Sequence, residues 1–272
     1  MILWDFIIIP SIVRALAIGE QSLSTFKSVN IDDMSMLKAV FFDLDGTLLP
    51  MVQKEFVKHY FSAMAKVFAP LGYDPEKFQR TIWGGIDAES KNDGSRTNLE
   101  VFWDYFASVF GEKSRKDAKV FDDYYKTEFQ KVKDVCGYSP LSKEIVSMLK
   151  QRGCKVVLAT NPIFPEVATI SRIKWAGLDP KDFDAITYME NSGLTKPNPE
   201  YFKHLLNKID VPPENCIMVG NDVDEDMVAS ELGMKVFLVK GDIISRTGKD
   251  ISAYPTGDLS DLKQFLENEL CQ

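Results

Sequence analysis

Five short apolar runs constrain this chain more than any other feature: 37–42, 155–159, 184–188, 216–219 and 235–239. Each is too short for a core helix. Continuous rather than alternating apolar character marks strands buried on both faces, as in a parallel sheet. Amphipathic stretches lie between the runs. Residues 141–151 carry apolar side chains at 141, 145, 146, 148 and 149 and stop before Gly153, a helix with a glycine just past its end. The stretches 165–176, 199–208 and 223–232 follow the same pattern, and Pro199 suits a first helical turn. A last helix is expected over 259–270 with Asp258 as its cap. Strands alternating with helices predict an α/β fold, a Rossmann-like parallel sheet core with helices on both faces.

Between Pro50 and Gly137 the character changes. Aromatics recur at helical spacing: Phe56, Tyr60 and Phe61, then Phe102, Tyr105, Phe106 and Phe110, then Phe121, Tyr124, Tyr125 and Phe129. This pattern predicts an all-helical module over 51–137, inserted after the first strand, its aromatics forming a packed core. Turns are expected at Pro70–Gly72, Lys91–Gly94 and Gly111–Ser114. The α/β core then comprises 36–50 and 138–272. A chain of 272 residues is long enough to bury such a core and an insert together.

Residues 1–35 read as an apolar N-terminal extension, a tail or a docked helix. Residues 1–18 are apolar except for Asp5, Pro10, Ser11 and Arg14, too short and interrupted for a membrane span. Ala15-Leu16-Ala17 has the small residues of a cleavage site, but no Lys or Arg precedes the apolar run as in a secretory leader. Met34 and Met36 are alternative starts. The formal net charge of −8 removes any global attraction to nucleic-acid backbones. Cys136, Cys154, Cys216 and Cys271 form no C-x-x-C pair or zinc-like spacing. They read as reduced thiols, which fits a cytoplasmic protein.

The first run closes on Phe42-Asp43-Leu44-Asp45-Gly46-Thr47-Leu48. Two carboxylates thus stand two positions apart at the C-terminal end of a strand, where open α/β sheets hold their ligands. Separated by about 5 Å, they repel by roughly 3 kcal/mol at an effective dielectric near 20, so a counter-cation is expected. A chance D-x-D-G-T in a chain of this length has odds of a few in a thousand, on average residue usage of roughly 5–7%.

With these residues the chain resembles the haloacid dehalogenase-like phosphatases, whose four motifs are matched in order. They are Asp43-Leu-Asp45-Gly-Thr47, Leu158-Ala159-Thr160-Asn161, Thr195-Lys196-Pro197-Asn198-Pro199-Glu200, and Val219-Gly220-Asn221-Asp222 through Asp226. The resemblance covers roughly 37–50 and 140–240, and the insert by position only. It implies that Asp43 is the nucleophile attacking phosphorus. Asp45 would protonate the leaving oxygen and later deprotonate water, with its backbone carbonyl toward a metal. Thr160 and Asn161 would bind the phosphoryl oxygens, and Lys196 would neutralise Asp43 and phosphate. Hard oxygen donors specify Mg²⁺ rather than zinc, drawn from Asp43, Asp45, Asn221, Asp222 and Asp226.

The family commonly starts its fourth motif with Gly-Asp, whereas Gly220 here precedes Asn221 and then Asp222. Either residue takes the metal position; Asp222 is favoured because a charged ligand binds Mg²⁺ better. Asp226 would position Lys196 or a metal-bound water. Asp224 and Glu225 read as charges at a helix N-terminus.

An insert at this location is, by the resemblance, a helical cap that closes on the site and selects a small phosphorylated metabolite. Trp83-Gly84-Gly85 and 91–96 are its candidate loops for reaching substrate. His59 and His204 lack partner spacing and read as structural or surface residues. The activity implied is hydrolysis of a phosphate monoester through an aspartyl-phosphate. A sugar phosphomutase on the same fold is the alternative, and a non-catalytic regulatory module a third, weaker one.

Overall fold

The computed structural model describes residues 36–271, so the extension expected over 1–35 lies outside the described residues. Six parallel strands form one sheet: β1 (Ala39–Phe42), β2 (Lys155–Leu158), β3 (Ala185–Ile186), β4 (Cys216–Gly220), β5 (Lys235–Val239) and β6 (Thr256–Gly257). Their order across the sheet is β3-β2-β1-β4-β5-β6. Five strands fall on the five apolar runs. The sixth, β6, has only two residues, too few to leave a pattern in the sequence.

Successive side chains of a strand point to opposite faces, and the two cores divide accordingly. Val40 and Phe42 join Val156, Leu158, Ile217 and Val219 on one face. There they meet α5 (Pro140–Gln151), α6 (Glu166–Trp175) and α8 (Leu259–Glu269). Ala39 and Phe41 join Val157, Met218 and Leu238 on the other, under α7 (Pro199–Ile209) and a 3₁₀ segment, Met227–Leu232. Asp258 caps α8 through a capping box with Asp261.

All of the regular structure between β1 and α5 is helical: α1 (Gln53–Phe68), α2 (Pro75–Ser90), α3 (Asn98–Phe110), α4 (Ala118–Lys126) and a 3₁₀ stretch, Glu128–Val135. Asp74 caps α2, and Thr97 with Glu100 forms a capping box at α3. The rings pack as their spacing predicts. Phe68 lies 4.6 Å from Phe78 and 4.5 Å from Phe121, and Phe129 reaches Trp175 of α6 at 4.9 Å. The insert therefore shares a continuous apolar core with one face of the sheet. Its two ends lie side by side, where Met51 pairs with Cys136 and the Gly137 amide donates to the Pro50 carbonyl at 2.6 Å.

Two sequence expectations need correction. Trp83-Gly84-Gly85 is not a loop but the third turn of α2. The glycines sit there because α3 crosses closely: a Cβ on Gly85 would stand 2.6 Å from the Phe102 ring. The helix expected over 223–232 is only the 3₁₀ segment, because Asp222 Oδ1 accepts from the amides of Asp224 and Glu225 and turns the chain first. Among the described residues no helix is long and apolar enough to cross a membrane.

Candidate active site

Sheet register brings the distant motifs together. Phe42 is level with Leu158 of β2 and Val219 of β4, so all three strands end on one line. Asp43, Thr160 and Asn221 leave the sheet within one or two residues of that line. The amide of Asp43 donates to the Val219 carbonyl at 2.9 Å, and that of Ala159 to the Phe42 carbonyl at 2.7 Å. Gly46, at φ +85°, turns the chain back. A Cβ there would lie 2.3 Å from Asn221 Nδ2, so the turn and the β4 loop touch only because residue 46 lacks a side chain.

Lys196 reaches this strand end from the segment before α7. Its side chain is 1% exposed, with Nζ 2.8 Å from Asp43 Oδ1 and 2.6 Å from Asp226 Oδ1. Burial alone would pull the ammonium pKa down. Asp226 and Asp43 outweigh that and hold it well above the ordinary lysine value. Asp226 has both oxygens engaged, one by Lys196 and the other by the Asp222 amide at 2.9 Å, and no exposed surface. It holds Lys196 from below rather than facing the cleft. Asn161 spans the same region, accepting from the Lys196 amide at 3.2 Å and donating to Glu225 Oε2 at 2.9 Å. The Thr160 carbonyl accepts from the Thr187 and Tyr201 hydroxyls, which fixes the backbone on which its side chain stands.

In the β4 loop, Asn221 has both ends of its amide occupied. Oδ1 accepts from the Thr47 hydroxyl at 3.0 Å, and Nδ2 donates to the Asp242 carbonyl at 2.7 Å. Asp222 presents Oδ2 to Arg246 Nη2 at 2.8 Å, on the open side of the site. Asp224 and Glu225 are not helix-dipole charges. Asp224 accepts from the Arg246 and Thr247 amides and pins that loop, and Glu225 ties Asn161 to Arg246.

Two cations escaped the sequence reading. Arg172 of α6 has no exposed surface, bonds Asp45 Oδ2 through Nη1, and lies over the Phe164 ring with its Cζ 4.2 Å from the centroid. Burial pushes the Asp45 carboxyl up to about 6 despite the opposing pull of Arg172. The one available signal was an arginine on the apolar stripe of α6, beside Ala168 and Ile173. Arg246 sits in an ordinary polar loop and left no signal. Five carboxylates, on Asp43, Asp45, Asp222, Glu225 and Asp226, thus meet three cations, and the site keeps an excess of acid.

Of these, Asp43, Asp45, Lys196, Asp222, Glu225 and Arg246 border a cleft of about 360 Å³, roofed by α1 and α2 through Phe56, Tyr60, Phe61 and Trp83. Trp83 therefore does face the cleft. Residues 91–96 do not line it; that loop docks on the core segment 189–194, where the Asn98 amide donates to the Ser192 carbonyl at 2.8 Å. His59 and His204 lie on exposed helix faces away from the cleft.

The site is thus an acidic cleft at the strand ends of an open parallel α/β sheet, with a buried lysine between two carboxylates. Residues 37–232 match the profile of the haloacid dehalogenase-like hydrolases. The chain belongs to that family. Among its relatives is the glyceraldehyde 3-phosphate phosphatase of Methanothermobacter thermautotrophicus, 25% identical over 240 residues that cover 85% of this chain and all of that one. The enzyme of the same name from Pyrococcus furiosus is 27% identical, over 86% of this chain and 93% of its own. The crystal structure of a phosphatase of this family from Thermococcus onnurineus superposes with a TM-score of 0.54 at 22% identity, over 84% of this chain and 97% of that one. The chain thus stands among family members named as phosphatases.

Proposed function

We propose that this enzyme hydrolyses a small phosphate monoester through a phosphoryl group carried on Asp43, with Mg²⁺ as its metal. The observation that carries the reading is the buried Lys196 ammonium, bonded at once to Asp43 and Asp226 at the strand end that Thr160 also borders. Lys196 orients the Asp43 carboxylate by one oxygen and leaves the other to attack phosphorus. As the Asp43–phosphorus bond forms, the bond to the leaving oxygen breaks, and that oxygen takes a proton from Asp45. Asp45 then accepts a proton from the water that attacks phosphorus, which frees phosphate and restores Asp43. Arg172 holds Asp45 in place for both transfers, and the hydroxyl of Thr160 and the backbone N–H of Asn161 are the neutral donors for phosphoryl oxygens.

The donor set fits Mg²⁺. The carboxylates of Asp43 and Asp222 and the backbone carbonyl of Asp45 are hard oxygens. Among the described residues no three side chains close into a metal cage, and Mg²⁺ characteristically takes one or two carboxylates and fills its shell with water and phosphate. Of the alternatives in the β4 loop, Asp222 is the ligand we assign. It is charged, it lines the cleft, and its Oδ2 meets only the half-exposed Arg246, whereas Asn221 is neutral and bonded at both ends and Asp226 is bonded to Lys196 away from the cleft. When bound, Mg²⁺ supplies positive charge to the phosphoryl oxygens during transfer. The helices from 53 to 135 act as the cap, and the scattered thiols suit a reducing cytoplasm.

Phosphate release from an aryl phosphate, measured with and without Mg²⁺, tests the activity. Asp43→Asn is expected to lower turnover by about a thousandfold or more; full activity in that variant would overturn the assignment. Product analysis with a sugar phosphate distinguishes transfer to water from transfer to a second hydroxyl.

A further inference from the structure

The walls of the cleft differ in chemistry. Among the described residues, every charged side chain lining it comes from the core: Asp43, Asp45, Asp222 and Glu225, with Lys196 and Arg246. Both cations are already paired with carboxylates. The wall supplied by α1 and α2 is mostly apolar, through Phe56, Val57, Phe61, Trp83 and Ile86, with Gln53 at the start of α1 as its polar edge. Its Tyr60 hydroxyl is turned away to Tyr125 at 2.8 Å, and its Ser90 hydroxyl donates to the Asp87 carbonyl at 2.7 Å. Trp83 is 43% exposed although its ring lies 5.5 Å from that of Phe61, tilted by 49°, so this aromatic pair leaves surface open to the cleft. Exposed aromatic surface in a concave site marks a ligand contact more often than it marks packing.

We infer that the alcohol portion of the substrate is apolar and ring-sized, and that it rests on Phe61 and Trp83 while its phosphate faces Asp43. The inference rests on the phosphatase reading of this cleft and narrows it. A cavity of about 150 Å³ accepts a benzene ring, so 360 Å³ holds a ring and a phosphoryl group together. A second recess of about 200 Å³ shares Tyr60, Ile86 and Phe164 with the cleft and extends the apolar surface inward. A carboxylate or second phosphate on the leaving group would face the α1–α2 wall without a counter-charge, and a polyol would find on that wall only the Gln53 amide to replace the water it loses. Glyceraldehyde 3-phosphate, for which two of the relatives are named, has a small polar leaving group, so the substrate inferred here differs from it in kind.

The test compares three esters with primary-alcohol or comparable alkyl leaving groups: 2-phenylethyl phosphate, sn-glycerol 3-phosphate and 3-phosphoglycerate. The expected kcat/KM for 2-phenylethyl phosphate exceeds the other two by roughly tenfold or more, carried mainly in KM. Trp83→Ala, at a partly exposed position, is expected to shrink that preference about tenfold. Any other order among the three esters, or a preference that survives Trp83→Ala, overturns the inference. Turnover of any ester in that case keeps the phosphatase reading, whereas no turnover of these or of an aryl phosphate overturns both.

Discussion

Arg172 enters the site from α6 with no exposed surface, its guanidinium on the Phe164 ring, Nη2 on the Thr169 hydroxyl and Nη1 on Asp45. Removing one partner of a buried ion pair leaves the other charge uncompensated, at a cost of about 3–5 kcal/mol. The Asp45 side chain is a quarter exposed, so the lower figure applies. Arg172→Met should therefore lose about 3 kcal/mol in urea unfolding and also slow turnover, because Asp45 loses its anchor. An unchanged kcat in that variant would show that Asp45 orients itself. Asp43, Asp45 and Thr160 stood out in the sequence because each follows an apolar run whose end is legible, and Lys196 because Thr195-Lys196-Pro197 before a helix resembles the family's third motif. Arg172 was not legible, since a helix pattern ranks positions by burial and treats a buried cation as noise. The bonds that occupy the Asn221 side chain, to Thr47 and the Asp242 carbonyl, are ones that no spacing records.

At the scale of elements, α2 carries a liability. Glu89 has no exposed surface, and neither carboxylate oxygen has a partner among the described residues. Burial raises its pKa well above the ordinary 4.5. The unfolded chain ionises near that ordinary value while the folded protein resists, so the native state loses stability as pH rises above it. Glu89→Gln cannot ionise. It should melt higher than the parent at pH 7.5, by roughly 2–4 °C for each kcal/mol recovered, and match it near pH 4. Equal melting temperatures at both pH values would mean that Glu89 finds a partner in solution. The helices of the insert were legible because their aromatics repeat at helical spacing and their caps are strong. The β4 loop was not, because an Asp-rich stretch before an apolar pattern reads as a capped helix, whereas Asp222 spends its carboxylate on the Asp224 and Glu225 amides.

For the whole molecule, the issue is how the insert is held over the sheet. Besides the paired ends at Met51 and Cys136, a buried Asn98 fastens it: Nδ2 donates to the Pro162 carbonyl at 3.1 Å, and Oδ1 accepts from Asn92. Asn98→Ala strands those partners and should cost about 1–3 kcal/mol. Amide exchange should accelerate first in 91–99 and around Pro162, the two segments its side chain joins; uniform acceleration would indicate global destabilisation instead. The α/β architecture and the place of the insert were readable from periodicity alone. The apposition of an apolar roof and an acidic floor was not, because it depends on contacts between residues far apart in the chain.

The central claim is a covalent phosphoryl group on Asp43, and trapping it is the most direct test. Enzyme mixed with Mg²⁺ and an aryl phosphate, quenched in acid and digested, should yield the peptide spanning Asp43 with the mass of one added phosphoryl group. That adduct should be labile to hydroxylamine, as an acyl phosphate is, and absent from Asp43→Asn. Steady turnover with no adduct on that peptide, or an adduct on another residue, would contradict the account.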